Sequence, residues 1–344
     1  MMRKIGIVLL IAITAMVMVS CKKTQSAGEK TVVKIAWVTD DVNISQQSFY
    51  DAAAAYVDFL NRTREDLAIE INFYPSQASV DKQIENLETV VAMGFDCIIL
   101  NPVDVNGIKP KALEAMAQGV PVLNWANMDP VFTVNLIFGN EPKKGQFNYE
   151  WIKKHLEDNP GKVLYAGLQY GAPQHTQNFA RLDPLKILAE EMPDRFVILA
   201  SQNSDWSSET SMKMVEDWMQ LYKGRMNYIC SAAEEQMLGV IEALRGEGVL
   251  QDMLLTTFDA EQTGVNLLKR GEIQVDTGII PPMAAQANVE YAIKMVLEDY
   301  SGTVDISSDC TVCVDQSNVL EHEKKIQVDY DNVRFPSALK ADYR

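Results

Sequence analysis

Apolar positions along the chain follow two alternating rhythms. Lys34-Ile35-Ala36-Trp37-Val38 is a short run rich in strand formers, and behind it Phe49, Ala52, Ala53, Tyr56, Val57 and Leu60 recur at helical spacing. Ile69 to Phe73 alternates as a strand does, and Val80, Ile84, Leu87 and Val91 mark a second helix. Cys97-Ile98-Ile99-Leu100 is continuously apolar, the pattern of a strand covered on both faces. Asn101-Pro102-Val103-Asp104 breaks it, with Asp104 placed to cap a helix carrying Ile108, Ala112, Leu113 and Met116. Gly119 to Leu123 starts another strand, and further strands are predicted near 163–167, 195–200, 227–231 and 253–258. The helices between them carry Trp151-Ile152, Leu182-Leu185, Met212-Val215-Met219 and Leu238-Ile241. This alternation predicts an α/β protein with parallel sheets and helices on both faces. One sheet of so many strands would be unusually wide, so two smaller sheets are expected, with a break after Asn124 to Pro130.

The first segment reads differently. Arg3 and Lys4 precede an apolar run from Ile5 to Val19, about 15 residues and short of the roughly 20 a membrane span needs. It fits a secretory signal peptide over 1–20. Val19-Ser20-Cys21 resembles a lipobox, so Cys21 is expected to carry a lipid and 21–32 to act as a flexible tether. The body of the chain is then extracytoplasmic, anchored to a bacterial membrane. With 31 basic against 47 acidic residues and a net charge of −16, the surface repels phosphate backbones, and nucleic acid is not an expected partner.

Cys97 and Cys230 lie in apolar runs and read as inert core thiols. Cys310 and Cys313 form a C-x-x-C pair in a segment that reads as extended, where positions three apart point to opposite faces; two packed thiols are favoured over a redox site. Without further Cys or His clustered nearby, no metal or other cofactor is expected. Phosphate-loop, dinucleotide and nucleophile-elbow motifs are missing. Of the three histidines, His155 and His322 read as surface residues, and His175, after a strand end, as a candidate ligand contact.

Several runs taken together resemble the ribose- and galactose-type family of periplasmic binding proteins, the type I solute-binding fold. Gly94 to Asp104 is similar to the family's G-x-D-a-i-i-x-N-P-x-D segment, and Gly119-Val120-Pro121-Val122 to its G-I-P-V. Arg181 to Lys186 resembles R-x-x-G-F with Pro184 in place of Gly, and Thr257-Phe258-Asp259-Ala260 resembles G-F-D-G. The likeness spans roughly residues 33–320. It implies two doubly wound parallel-sheet lobes joined by a hinge, with a sugar bound between them and the closed form docking on a membrane permease. By analogy the lobes are expected at 33–128 plus about 260–280, and at 129–259 plus about 281–335.

The resemblance also implies site residues. Asp259 matches the sugar-binding Asp, with helix capping as its plainer role; Arg181 matches the Arg that donates to sugar oxygens, with a surface ion pair as its own. Trp206 occupies the loop of a stacking aromatic, and Asp40, Asn43, Gln46 and Gln47 follow the first strand where polar rim groups belong. Asp104 is carried over too, although a cap would explain it; Gln77, Asn127 and Glu234 complete the set. This chain departs from the family at Ala126-Asn127, where an Asp-Arg pair is common, and at Ala233-Glu234, where Asn-Asp is usual. Gly278-Ile279-Ile280-Pro281 lacks the late Gln, and Gln46-Gln47 replaces Phe-Phe. The expected function is capture of a sugar or sugar-like polyol for an ABC permease by a monomer that does no chemistry. Alternatives are a sensor subunit for a chemotaxis or two-component receptor and a nucleoside-binding lipoprotein, with Trp37, Trp125 and Trp206 stacking a base. An exported sugar-active enzyme using Glu234 with Asp259 is the reading from another class.

Overall fold

The apolar run after Lys30 forms strand β1 (Thr31–Thr39), and the stripe behind it forms helix α1 (Ile44–Thr63). A computed structural model describes residues 30–42, 44–125, 131–173, 177–222, 224–340 and 343. The alternation continues through β2 (Leu67–Pro75), α2 (Val80–Ala92), β3 (Cys97–Leu100), α3 (Val105–Ala117), β4 (Val122–Asn124) and β5 (Val134–Ile137). The chain then builds a second sheet. Its elements are α4 (Glu141–Asp158), β6 (Leu164–Tyr170), α5 (Gln177–Glu191), β7 (Phe196–Asn203), α6 (Ser208–Leu221), β8 (Tyr228–Ser231), α7 (Glu234–Gly246), β9 (Leu254–Asp259), α8 (Gln262–Lys269) and β10 (Val275–Ile279). It returns to the first sheet for α9 (Pro281–Glu298) and β11 (Gly302–Asp305), and ends in α10 (Ser307–Cys310), β12 (Thr311–Asp315) and α11 (Val319–Ile326).

The first sheet runs β11-β5-β4-β3-β1-β2 with every neighbouring pair parallel. The second runs β12-β10-β9-β8-β6-β7, parallel except for β12, which lies antiparallel to β10. Strand periodicity divides the cores. Ile35, Trp37 and Ile99 face α1 and α9, while Ala36, Val38, Ile98 and Leu100 face α2 and α3. Burial on both faces is why β3 reads as unbroken apolar sequence. Each sheet reverses its strand order once, between β1 and β3 and between β6 and β8. Crevices for ligands open beyond the carboxyl ends of strands at such points.

Three segments cross between the lobes: 138–140, Ile280 and 306–310. They are laced together by Ile306 N–H donating to Ile137 O (2.8 Å), Ile280 N–H to Cys310 O (3.1 Å) and Asn140 N–H to Thr311 Oγ1 (3.3 Å). A fourth passage follows α11, as the C-terminal segment returns to the first lobe. Tyr330 Oη donates to Pro282 O at 2.8 Å there, and Phe335 and Leu339 pack on the core.

The partition differs from the sequence expectation. Residues 260–280 belong to the second lobe, because β10 pairs with β9, and 281–305 belong to the first. Pro281 and Pro282 cannot extend a ladder and start α9 instead. The first lobe also runs past 128 to β5. Cys97, Cys230, Cys310 and Cys313 are free thiols, and burial pushes Cys313 up to about 12. His322, expected on the surface, is buried with Nε2 2.7 Å from Ala260 O, because α11 lays one face on the second lobe. Among the described residues no helix is long and apolar enough to cross a membrane. The signal segment and Cys21 lie outside them.

Candidate functional site

The second lobe gathers its charges at the carboxyl ends of β6, β8 and β9. Arg181 rises from α5, buried, with its guanidinium 5.6 Å over the ring of Phe258. Nε donates to Glu141 at 2.5 Å, and Nη1 donates to Asp259 at 3.0 Å and to the Ala232 carbonyl at 2.7 Å. Glu141 opens α4 and also accepts from the buried Lys144 ammonium one turn on, at 2.6 Å. Burial alone would raise the Glu141 carboxyl, but Arg181 and Lys144 hold it down at about 2. Asp259 keeps about a quarter of its side chain exposed; burial raises its pKa against the opposing pull of Arg181. Its other oxygen accepts from the Glu234 N–H at 3.3 Å. Asp259 (φ +133°) and Ala260 (φ +57°) are both non-glycine residues with positive φ, each at a cost of order 1–3 kcal/mol.

The first lobe answers with a lighter set. Burial raises the Asp40 carboxyl, which accepts from Asn101 Nδ2 (3.0 Å) and from the Asp41 N–H (2.8 Å). Thr39 Oγ1 lies 2.9 Å from Asp40 and 2.6 Å from Gln46 Oε1, sharing its one proton between them. Across the cleft, Ser45 on the first turn of α1 lies near Glu261, whose carboxyl is pushed up to about 7 chiefly by burial and then by Asp259.

Trp206 stands at the carboxyl end of β7 with φ +62°, following Asp205 at +52°. Its indole lies on Gly171 so closely that a Cβ there would fall 2.2 Å from the ring. The loop is fixed by Ser204 N–H donating to Tyr170 O (2.9 Å) and by Ser207, which caps α6. Trp206 is half-buried, leaving part of the ring for a partner.

The expected residues separate into groups. Arg181 and Asp259 converge in the second lobe, Asp40 and Gln46 in the first, and Trp206 stands beside Arg181's lobe of the cleft at the end of β7. Gln47 instead turns along α1 to Asp51 (2.7 Å), and Asp104 caps α3 through Gly107 N–H at 2.6 Å. Gln77 is exposed beyond the edge strand β2. Glu234 contributes its backbone to Asp259, but its carboxylate is buried and accepts from Glu261 N–H at 2.6 Å. Its helical position at the start of α7 aims it into the lobe, so it does not form a cleft-facing acid–base pair with Asp259. Trp37 and Trp125 are core residues whose tilted rings lie 5.5 Å apart, so the sequence's three-Trp base-stacking set is reduced to Trp206. Asn43, Asn127 and His175 lie outside the described residues.

Glu141, Lys144, Asn101, Glu261 and Asp276 join the site without having been anticipated. Asp276 had a signal, a carboxylate in the middle of the apolar β10. Glu141 had none, because the short β5 before it was not recognised as a strand. Among the described residues no cluster of His, Cys, Asp and Glu is arranged to hold a metal.

Comparison with known proteins accords with this architecture. The family described as periplasmic binding protein domain matches residues 42–298, and the chain belongs to that family of substrate-binding proteins. It is 21% identical over 217 residues to the ribose import binding protein of Bacillus subtilis, covering 63% of this chain and 68% of that one. The galactofuranose-binding protein of Escherichia coli is 21% identical over 244 residues, 68% and 75% of the two chains. An ABC transporter solute-binding protein of Bacillus halodurans, solved with bound myo-inositol, superposes with a TM-score of 0.72 at 18% identity, covering 87% of this chain and 99% of that one.

Proposed function

We propose that this chain captures a sugar or sugar-like polyol between its lobes and delivers it to an ABC import permease, as a single copy tethered outside the membrane by a lipid on Cys21. The observation that carries the reading is the clustering of Arg181 with Asp259 in one lobe, and of Asp40, Asn101 and Gln46 in the other, at strand ends beside the two strand-order switch points. Donors and acceptors alternate there, as a ring of hydroxyls requires, and Trp206 supplies a flat apolar face for the C–H side of the ring. Relatives named for ribose and galactofuranose support a carbohydrate. The leader with Arg3, Lys4 and the run to Cys21 supports export and lipidation.

Thermal unfolding against pentoses, hexoses, inositols, furanoses and nucleosides tests the reading. A ligand held only by the native state raises the midpoint with concentration. A rise with a sugar or polyol is expected; a rise with nucleosides alone would overturn it. Mass spectrometry of the membrane-extracted protein checks the anchor, which is refuted if Cys21 carries no diacylglyceryl group.

A further inference from the structure

Beneath the Asp259 turn lie two buried carboxyl groups. Asp276, on β10, is fully buried, and its Oδ1 accepts the Ala260 N–H at 3.0 Å. Glu234, at the start of α7, accepts the Glu261 N–H at 2.6 Å and donates its own backbone N–H to Asp259. Both side chains converge on Gly264: a Cβ there would fall 1.7 Å from Asp276 Oδ2 and 2.5 Å from Glu234 Oε1. The two oxygens therefore crowd one point above Gly264, and the buried Asp276 Oδ2 has no hydrogen-bond partner among the described residues. A carboxyl–carboxylate contact needs a proton between its oxygens.

We infer that Glu234 and Asp276 share one proton, and that this protonated pair is the positioning element that holds Asp259 in its ligand-facing conformation. The turn they support is the strained one, with positive φ at both Asp259 and Ala260. Ala260 is gripped from both sides, its N–H by Asp276 and its carbonyl by the His322 ring. The carbonyl can only accept, so His322 Nε2 carries the hydrogen. Losing the shared proton would set two carboxylates against each other in a dry site and push the clamp apart.

The surrounding charges favour keeping that proton. Burial raises both carboxyls, and Asp259 and Glu261 add negative charge beside them. Arg181 opposes this weakly, since its guanidinium is already taken by Glu141 and Asp259, and Lys144 is taken by Glu141. Burial keeps His322 neutral, and Cys313 on β12 stays a thiol. A raised carboxyl pKa means that the proton is retained at low and neutral pH and lost as the pH rises.

The inference rests on the sugar-binding reading only in its affinity arm. The direct readout is the Ala260 amide in ligand-free protein labelled with carbonyl-13C Asp and 15N Ala, which reports only the two Asp-Ala steps, at 51–52 and 259–260. The Ala260 signal should titrate above the ordinary carboxylate range, as the buried pair gives up its shared proton. Asp276→Asn replaces the shared proton by an amide hydrogen, and Glu234→Gln does the same from the other side, so that either variant serves if one fails to fold. In each the contribution of the pair should vanish, leaving only the shift from the neighbouring Glu261 carboxyl. For the solute found in the thermal panel, wild-type affinity should fall about tenfold from pH 6 to pH 9, one pKa unit's worth, while each amide variant loses clearly less over the same range. An Ala260 amide that ignores pH, or an unchanged titration in both variants, overturns the inference. Titration of Ala260 in a protein that binds no sugar or polyol supports the clamp and refutes the ligand reading instead.

Discussion

The buried Glu290 of the first lobe and the half-buried Asp259 of the second are carboxylates treated oppositely. Glu290 on α9 accepts from Tyr56 Oη (2.5 Å), Gln286 Nε2 (3.0 Å), Ser337 Oγ (2.7 Å) and Ala338 N–H (2.6 Å). These four donors, all neutral, close the site and fasten the C-terminal segment to the back of the first lobe. Asp259 in the second lobe has one guanidinium and one distant backbone N–H, sits on a strained turn and keeps part of its side chain open. A structural carboxylate is saturated by its own chain, whereas a binding carboxylate is held rigidly and left with acceptor capacity to spare. The cleft itself is asymmetric in the same sense. The second lobe is a charged, preorganised wall; the first presents amides and a hydroxyl gathered around the single Asp40 carboxyl.

The largest effect should come from Arg181→Met, which takes from the half-buried Glu141 and Asp259 the buried cation they share. About 3–5 kcal/mol of stability should be lost, the usual cost of breaking a buried pair, as read by urea unfolding. Glu290→Ala should cost about 2–3 kcal/mol through the donors it strands and leave ligand affinity unchanged; a loss of affinity would erase the contrast between the two carboxylates. Trp206→Ala removes the aromatic face from the cleft and should weaken binding by about 1–3 kcal/mol, the range for an aromatic anchor, with the melting temperature nearly constant. Gln46→Ala tests the lighter lobe. Calorimetry should find only about 0.5–1.5 kcal/mol of affinity lost, one neutral hydrogen bond; an effect as large as that of Trp206 would make the lobes equal partners.

Strand–helix alternation made the two parallel sheets legible, since continuous runs such as Cys97–Leu100 and stripes such as Phe49 to Leu60 are what burial on both faces demands. The lobe boundaries were not legible, because the crossing at Ile280 carries no composition signal beyond the two prolines after it. Of the residues proposed for the site, Arg181 and Asp259 could be placed through motif order and Trp206 through its loop. Asp104 and Gln47 show the limit of that method, for each is a plausible polar loop residue with a closer local partner, the Gly107 N–H or Asp51. His322 was misread because a charged stretch hides its single buried face. The support beneath Asp259 comes from Glu234, Asp276 and His322, on three separate elements whose convergence only the fold reveals.

The central claim is that one solute binds between the lobes through Asp259. Calorimetric titration of the sugar or polyol from the thermal panel into wild type and Asp259→Asn tests it most directly. The account predicts one solute per chain for the wild type and a loss of about 1.5–3 kcal/mol of affinity in the variant, the worth of a hydrogen bond to a charged group, with the unfolding midpoint little changed. Equal affinity in the two proteins, or a variant that loses stability and keeps its affinity, would return Asp259 to a structural role and contradict the placement of the site.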